Sequence, residues 1–200
     1  MTLAEVITTT PYVPAWHETG TCMDRRHILC LHDVLVLTGM QRTLEIGTHT
    51  GASASAFIAA GIADAHFCDP TTYQQALNVI GGRGTVHARK GCDVLADQPP
   101  FDMVLVDGAH DLVSVCEELM VLLKKPPAII MAHDVSSTKA GFILCEGAAY
   151  LVDALKEDGW TCIIDDKYRE GEMTHRGLLM ATKDQRLADI MAAVAARICP

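Results

Sequence analysis

Short apolar runs alternate with amphipathic segments along most of this 200-residue chain. The apolar runs cover residues 43–46, 66–68, 85–88, 103–106, 128–132, 161–165 and 176–181. The helical patterns cover residues 23–40, about 52–61, 71–79, 111–124, 143–157 and 184–198. This alternation is typical of βαβ crossovers, which place parallel strands in one sheet with helices on both of its faces.

The last two apolar runs break the alternation. The polar stretch 166–172 lies between them and no helical pattern does, so these two strands form a hairpin and one of them runs antiparallel. We therefore predict an α/β fold: a doubly wound, Rossmann-like, seven-stranded and mostly parallel sheet with a terminal antiparallel hairpin. We expect residues 23–200 to form a single domain, because a chain of this length buries a substantial core, and residues 1–22 to form an N-terminal arm.

Charge and cysteine content narrow the function classes. A formal net charge of −9 disfavours a nucleic-acid partner, because such binding depends on clustered Lys and Arg. The eight cysteines are scattered and form no C-x-x-C pair, which favours reduced thiols in a cytoplasmic protein. We recognise no signal peptide, and no segment reaches the roughly 18 apolar residues of a membrane span. A small molecule is the expected partner, rather than a nucleic acid or a membrane.

The first strand ends on a carboxylate and turns through two glycines into a helix. Residues 43–53 read TLEIGTHTGAS. Glycine at 47 allows a sharp turn, and glycine at 51 removes a Cβ where the helix must pack against strand or ligand. The spacing is E-x-G-x-x-x-G and differs from the G-x-G-x-x-G dinucleotide fingerprint. The loop predicts a nucleotide-type cofactor site, and an ordinary strand-to-helix turn is the alternative.

Ligands of open α/β sheets lie across the carboxyl ends of the strands. After the second strand, Asp69 lies 18 residues beyond Gly51, near the position from which an acidic residue accepts hydrogen bonds from ribose hydroxyls. An Asp-Pro pair is also a common turn opener, which is the alternative for Asp69. The third strand is followed by Cys92 and Asp93, and Asp93 is equally a candidate N-cap for a short helix.

The fourth strand carries the most specific pattern of the chain. Residues 101–110 read F-D-x-V-x-x-D-G-x-H, with Asp107 and His110 just beyond the strand. The run closely resembles the strand-four motif of small-molecule O-methyltransferases, typified by catechol O-methyltransferase and the cephalosporin methyltransferase-like group. The glycine loop resembles motif I of the class I S-adenosylmethionine-dependent methyltransferases. Together these resemblances cover roughly residues 23–182.

The resemblance implies that the chain binds S-adenosylmethionine. The implied cofactor-binding residues are Glu45, Gly47, Thr48, Gly51, Ser53, Asp69, Cys92, Asp93 and Asp107. Glu45 would fix the amino group of the methionine moiety, Ser53 its carboxylate and Asp69 the ribose. Cys92 and Asp93 match the positions at which the family contacts the adenine edge.

The ends of the fourth and fifth strands imply a divalent cation. The fifth strand ends in His133-Asp134, the form of the cephalosporin-type relatives, where the catechol enzymes have Asp-Asn. In the family, the aspartate matching Asp107 binds the cation and the residue matching His110 is the base, although catechol enzymes have lysine there. Asp107 and Asp134 suit Mg²⁺, whereas His133 favours Mn²⁺, Fe²⁺ or Zn²⁺. A capping role for Asp134 and a structural role for His133 are the alternatives.

The expected function is S-adenosylmethionine-dependent O-methylation of a small hydroxylated metabolite, assisted by a divalent metal. Asp107 and His110 are the expected catalytic residues, and a homodimer is compatible with this function. A metal-dependent hydrolase using His110 and the three metal ligands is one alternative. A nicotinamide-dependent oxidoreductase is disfavoured by the missing third glycine and by the hairpin. The last alternative is a non-catalytic cofactor-binding module.

Overall fold

The computed structural model describes residues 23–135, 145–166 and 176–198, so the predicted arm at 1–22 lies outside the described residues. The helices are α1 (Arg25–Thr38), α2 (Ala54–Ala59), α3 (Gln74–Ile80), α4 (Gly91–Asp97), α5 (Leu112–Lys124), α6 (Glu146–Glu157) and α7 (Gln185–Ile198). The strands are β1 (Arg42–Ile46), β2 (Asp64–Cys68), β3 (Thr85–His87), β4 (Met103–Val106), β5 (Ile129–His133), β6 (Thr161–Asp165) and β7 (Leu178–Thr182). No helix in these ranges has the length and the apolar run that crossing a membrane requires.

The seven strands form one sheet in the order β3-β2-β1-β4-β5-β7-β6. Strands β1 to β5 pair in parallel, and β7 runs antiparallel to both of its neighbours, β5 and β6. The predicted sheet and its terminal hairpin are therefore confirmed. Because the direction reverses from β5 to β7 and again from β7 to β6, the carboxyl end of β6 lies at the same edge as that of β5.

The predicted elements are all present, and their ends differ from the sequence pattern by up to three residues. The short helix expected after the third strand begins at Gly91, and its N-cap position is Lys90. Asp93 therefore lies inside the first turn of α4, and its prediction as an N-cap is wrong. An acidic side chain in the first turn still interacts favourably with the positive end of the helix dipole.

Helices cover both faces of the sheet. On one face α1, α2, α3 and α7 pack against alternate strand residues, among them Leu105 and Met131. On the other face α4, α5 and α6 pack against the intervening residues, among them Val104 and Ile130. All five residues of β5 are buried, as expected for a strand covered on both sides. Residues 129, 131 and 133 of this strand face the side on which α1 packs, because side chains alternate along a strand.

Candidate functional site

A cavity of about 400 Å³ lies at the carboxyl edge of the sheet. Its wall includes Gly47, Thr48 and Asp69 from the ends of β1 and β2, and Ser53 at the N-cap position of α2. The same wall includes Cys92 of α4 and, from the loops after β4 and β5, Asp107, His110 and Asp134. Most of the predicted site residues therefore meet around one cavity, whereas Glu45, Gly51, Asp93 and His133 are not on its wall.

The two loop glycines are required by packing within the protein. Gly47 has φ +88°, and a Cβ there would lie 2.1 Å from the backbone oxygen of Asp107. Its absence allows the ends of β1 and β4 to approach each other. Gly51 has φ +89°, and a Cβ there would lie 3.0 Å from the Cα atom of Ala76 in α3. Gly51 thus makes room for α3, so a larger residue at 51 would disturb this packing as well as the loop.

Glu45 lies beneath the glycine loop and is fully buried. The hydroxyl of Ser53, at the N-cap position of α2, donates a hydrogen bond to Oε1 of Glu45. Oε2 has no hydrogen-bond partner among the described residues. Burial raises the pKa of Glu45 from 4.5 to about 8, and the negative charge of Asp107 acts in the same direction. A cationic group placed near Oε2 would stabilise the ionised form.

Asp69 holds the end of β2 and also faces the cavity. Its Oδ2 accepts a hydrogen bond from the backbone N–H of His49 at 2.9 Å, and its Oδ1 accepts one from the backbone N–H of Thr71 at 2.8 Å. The turn-forming interpretation of Asp69 is thus observed. Each carboxylate oxygen retains a further acceptor position, so this role leaves capacity for ribose hydroxyls. His49 has φ +45°, a conformation held in place by its bond to Asp69.

A buried carboxylate that the sequence analysis missed also lines the cavity. Glu118 of α5 is 5% exposed, and its Oε2 has no hydrogen-bond partner among the described residues. Burial raises its pKa from 4.5 to about 7. Its Oε1 would lie 2.7 Å from a Cβ at position 91, so glycine at 91 lets α4 begin beside this carboxylate. The signal was present, because Glu118 lies on the apolar face that Val115 and Leu119 define.

The residues at the ends of β4 and β5 form a compact cluster of acids and imidazoles. His133 Nδ1 lies 3.4 Å from Asp107 Oδ1 and 3.5 Å from Asp134 Oδ1. This nitrogen is buried and has no hydrogen-bond partner in the described part of the chain. One ligand atom from each of the three residues lies within 4.8 Å of the others, so the three could hold a metal ion. His133 belongs to the predicted site although it lies behind the cavity wall.

The pKa values of Asp134 and His133 are both raised, and the negative charge of Asp107 contributes to both shifts. Burial raises the pKa of Asp134, and the charge of Asp107 adds to this effect. Burial acts to lower the pKa of His133, but the charges of Asp107 and Asp134 outweigh it and the pKa rises. Asp134 has φ +58°, which is rare for a residue other than glycine. Strained backbone of this kind is common at functional sites.

His110 stands at the exposed side of this cluster. Its Nε2 lies 3.3 Å from Asp134 Oδ2, and 31% of its side chain is exposed. Arg176, which the sequence analysis missed, also lines the cavity, and its Nε lies 3.8 Å from Asp134 Oδ1. The cavity thus presents an imidazole and a guanidinium on the same carboxylate.

A second imidazole, His27 of α1, lies behind His133. Its Nδ1 is 3.1 Å from His133 Nε2, and its Nε2 is 3.1 Å from Oδ2 of Asp165, the last residue of β6. Burial lowers the pKa of His27 to about 4, against an opposite effect of its bond to Asp165. No sequence motif predicted a role for His27 or Asp165. His27 lies on the apolar face of α1 beside Ile28 and Leu31, which was a usable signal.

Comparisons with known proteins give the fold and little more. No protein-family model matches the chain, and no curated protein matches its sequence. Among solved structures, an O-methyltransferase from Bacillus cereus in complex with S-adenosylhomocysteine is similar with a TM-score of 0.68 and 17% identity, covering 90% of this chain and 89% of that chain.

Two further structures extend the comparison. The O-methyltransferase TomG from Streptomyces achromogenes, involved in tomaymycin synthesis and in complex with S-adenosylmethionine, gives a TM-score of 0.67 at 16% identity and covers 89% of both chains. An rRNA methylase from Streptococcus thermophilus gives 0.59 at 15% identity, covering 82% of this chain and 100% of that chain. The described fold is that of these methyltransferases. One fold hosts many acceptors, so the substrate is argued from the residues of the site.

Proposed function

We propose that this protein is an S-adenosylmethionine-dependent O-methyltransferase acting on a small hydroxylated metabolite, assisted by a divalent cation. The observation that carries the proposal is that one cavity joins two kinds of group. Asp69 and the glycine loop, at the ends of β2 and β1, suit a nucleoside with an amino-acid tail. Asp107, His110 and Asp134 suit the activation of a hydroxyl group.

The residues present fit the cofactor at three points. Asp69 has free acceptor capacity for ribose hydroxyls at the cavity wall. Glu45 has a buried oxygen without a partner among the described residues, directly behind Ser53, where an ammonium group would supply the missing charge. Glu118 offers a buried acceptor beside Cys92 and the start of α4, on the side where the family contacts adenine. The predicted role of Asp93 has no support from the cavity wall.

The cluster of Asp107, His133 and Asp134 fits a divalent cation. Two ligand atoms about 2.1 Å from one ion lie roughly 3.0 to 3.4 Å apart when they are neighbours. The observed separations of 3.4 and 3.5 Å are close to that range. Two carboxylate oxygens and a nitrogen without a hydrogen-bond partner converge there, and this donor set accepts Mg²⁺ but favours Mn²⁺, Fe²⁺ or Zn²⁺.

The chain's own residues have separate tasks in methyl transfer. The sulfonium methyl group is displaced in line, so the cavity must hold the acceptor oxygen against the methyl carbon. A bound cation would lower the pKa of the acceptor hydroxyl. His110, at the exposed side of the cluster and 3.3 Å from Asp134, receives the proton of that hydroxyl. Arg176 can hold an anionic group of the acceptor at the same wall.

We also propose that the enzyme acts on a small molecule and is located in the cytoplasm. The net charge of −9 supports a small-molecule substrate over nucleic acid, and the scattered cysteines support a cytoplasmic location. A homodimer is compatible with the proposal, which does not depend on it.

Calorimetric titration with S-adenosylhomocysteine tests the cofactor half of the proposal. We expect saturable binding that Asp69→Ala weakens, whereas Lys124→Ala, at the last residue of α5 and absent from the cavity wall, leaves it unchanged. Turnover over a panel of hydroxylated acceptors, with and without chelator, tests the chemical half. Hydrolysis without any cofactor binding would support the hydrolase alternative. Binding without turnover of any acceptor would support the non-catalytic module.

A further inference from the structure

Four buried side chains form a hydrogen-bonded chain behind the acid cluster. Arg26 Nε donates to Asp165 Oδ2 at 2.8 Å, and Asp165 Oδ2 is 3.1 Å from His27 Nε2. His27 Nδ1 is 3.1 Å from His133 Nε2, and the two rings meet edge to face with centroids 5.2 Å apart. The exposed fractions are 0% for His27, 1% for His133, 5% for Asp165 and 8% for Arg26. These hydrogen bonds connect α1 and β6 to the end of β5.

The hydrogens in this chain can be placed by counting donors and acceptors. Asp165 is held by the Arg26 guanidinium and is ionised, so it only accepts hydrogen bonds. His27 Nε2 must therefore carry the hydrogen that points at Asp165. Arg26 Nε also points at His27 Nε2 at 3.2 Å, but its one hydrogen is shared and the shorter bond, at 2.8 Å, ends on Asp165. The Arg26 guanidinium on this side of the ring already supplies the positive charge that balances Asp165, so the ring needs only the one hydrogen that its bond to Asp165 uses.

The position of that hydrogen determines which ring nitrogen of His133 carries a hydrogen. With Nε2 protonated, Nδ1 of His27 has only a lone pair to offer. Asp24 Oδ2 lies 3.6 Å from this Nδ1 and cannot supply a hydrogen as a carboxylate. His133 Nε2, at 3.1 Å, must then be the donor. A neutral His133 consequently has no hydrogen on Nδ1, the atom that faces Asp107 and Asp134.

We propose that Asp165 and His27 are positioning residues that hold the lone pair of His133 Nδ1 toward Asp107 and Asp134, so that the cation site includes a nitrogen ligand. This inference rests on the cation site of the proposed function. When the His133 ring is neutral, three acceptor atoms then converge with no hydrogen between them, an arrangement that a positive ion stabilises. A metal-bound histidine commonly donates its other N–H to a partner that fixes its orientation. Here a second imidazole is that partner, and Asp165 orients it in turn.

The preference of the site among divalent metal ions follows from this arrangement. An oxygen-only pair of aspartates suits Mg²⁺, which prefers hard ligands. A fixed imidazole nitrogen adds affinity for Mn²⁺ and the later divalent ions more than for Mg²⁺. We therefore expect the protein to prefer Mn²⁺ over Mg²⁺, with His27 responsible for part of that preference although it does not touch the ion.

A matched pair of His27 variants tests the inference by Mn²⁺ calorimetry. Asparagine at 27 keeps an oxygen near the position of Nδ1 and can accept from His133, whereas leucine has similar size and no acceptor. His27→Leu should weaken Mn²⁺ binding by about 10- to 100-fold, the usual effect of losing such a partner. His27→Asn should stay within about threefold of the parent, and Mg²⁺ affinity should change little in either variant. Affinity for S-adenosylhomocysteine serves as the folding control.

Spectroscopy of the unaltered protein provides a test that needs no variant. In the Zn²⁺-loaded protein, long-range ¹H–¹⁵N NMR should show a hydrogen on Nε2 of His133 and none on Nδ1. A hydrogen on Nδ1 of His133 would overturn the inference, as would equal Mn²⁺ affinity of parent and His27→Leu. If His133→Asn matches the parent in Mn²⁺ affinity, the inference fails while the cation site stands. If the parent binds S-adenosylhomocysteine and no cation, the inference and the metal-assisted step both fail while the cofactor half stands.

Discussion

Replacing the buried Glu45 by glutamine should make folding stability less dependent on pH. The pKa of Glu45 is 4.5 when exposed and about 8 in the folded protein, mainly because of burial. Between these values the folded form keeps a proton that the unfolded form has lost, so the free energy of unfolding falls as pH rises. Each pH unit of this window is worth about 1.4 kcal/mol, and the whole window about 5 kcal/mol. Total stabilities are only about 5 to 15 kcal/mol.

Urea unfolding at about pH 5, 7 and 9, without cofactor, measures this effect. Glutamine cannot ionise and can still accept the hydrogen bond of Ser53, so Glu45→Gln removes the pH-dependent penalty. Relative to the parent, the variant should gain stability with rising pH, by about 2.5 kcal/mol at pH 7 and about 4 kcal/mol at pH 9 compared with pH 5. A stability difference that stays constant from pH 5 to pH 9 would refute the reasoning.

Two further variants control for general charge effects. Glu118→Gln should behave in the same way over a narrower window, because the folded pKa of Glu118 is about 7. Its relative gain should reach about 3 kcal/mol and then level off above pH 7. Glu117→Gln removes a carboxylate whose side chain is 47% exposed, and its relative stability should change little over the same range.

Four other substitutions test individual roles. Asp69→Ala should weaken S-adenosylhomocysteine binding by about 1 to 3 kcal/mol in calorimetry; unchanged affinity would leave Asp69 a turn-forming residue only. Asp134→Asn should retain cofactor affinity and lose metal-stimulated turnover, and full parent activity in chelator would contradict the cation. His110→Ala should lower turnover by roughly 10²- to 10⁴-fold near neutral pH, and by less at high pH. Gly47→Ala should lower the thermal unfolding midpoint, because its Cβ would lie 2.1 Å from a backbone oxygen; an unchanged midpoint would show that the loop adjusts freely.

The sequence predicted the fold and the edge of the sheet that carries the site. Strands and helices have different hydrophobic periods, so both can be recognised in the sequence. Their alternation predicts βαβ crossovers and therefore a parallel sheet. Parallel strands end at one edge, which is why residues after separate strands, such as Asp69, Asp107 and Asp134, were expected together. These predictions need only the order of elements along the chain. Element ends were less accurate, because tertiary packing and local turns decide the last residues.

The parts that sequence reasoning missed depend on contacts between distant residues. His27 and Asp165 are 138 positions apart, and no local pattern pairs them. Glu118 reaches the cavity because Gly91 lacks a side chain at the start of α4, a relation between two separate helices. His27 and Glu118 each interrupt an apolar helix face. A polar residue at such a position indicates that this helix face contacts polar groups of a site as well as the apolar core.

The topology also explains why Asp165 belongs to the site. Two reversals of direction return β6 to the direction of β5, and both His133 and Asp165 pair with Leu178 of the strand between them. They therefore lie at one level and on one face of the sheet, beneath α1, where His27 lies between them. The insertion of β7 between β5 and β6 makes the first hairpin strand parallel to β5, so its last residue lies at the carboxyl edge.

Adjacent residues of a strand point to opposite faces, so His133 and Asp134 could not meet at one ion if the strand continued unchanged. The chain leaves the extended conformation at Asp134, where φ is +58°, and the carboxylate comes within 3.5 Å of His133 Nδ1. Aspartate and asparagine tolerate this conformation better than other residues with a side chain. The residue at 134 must therefore satisfy the backbone and the ion together. Asparagine should preserve the turn while weakening the site, whereas a β-branched residue should lose both.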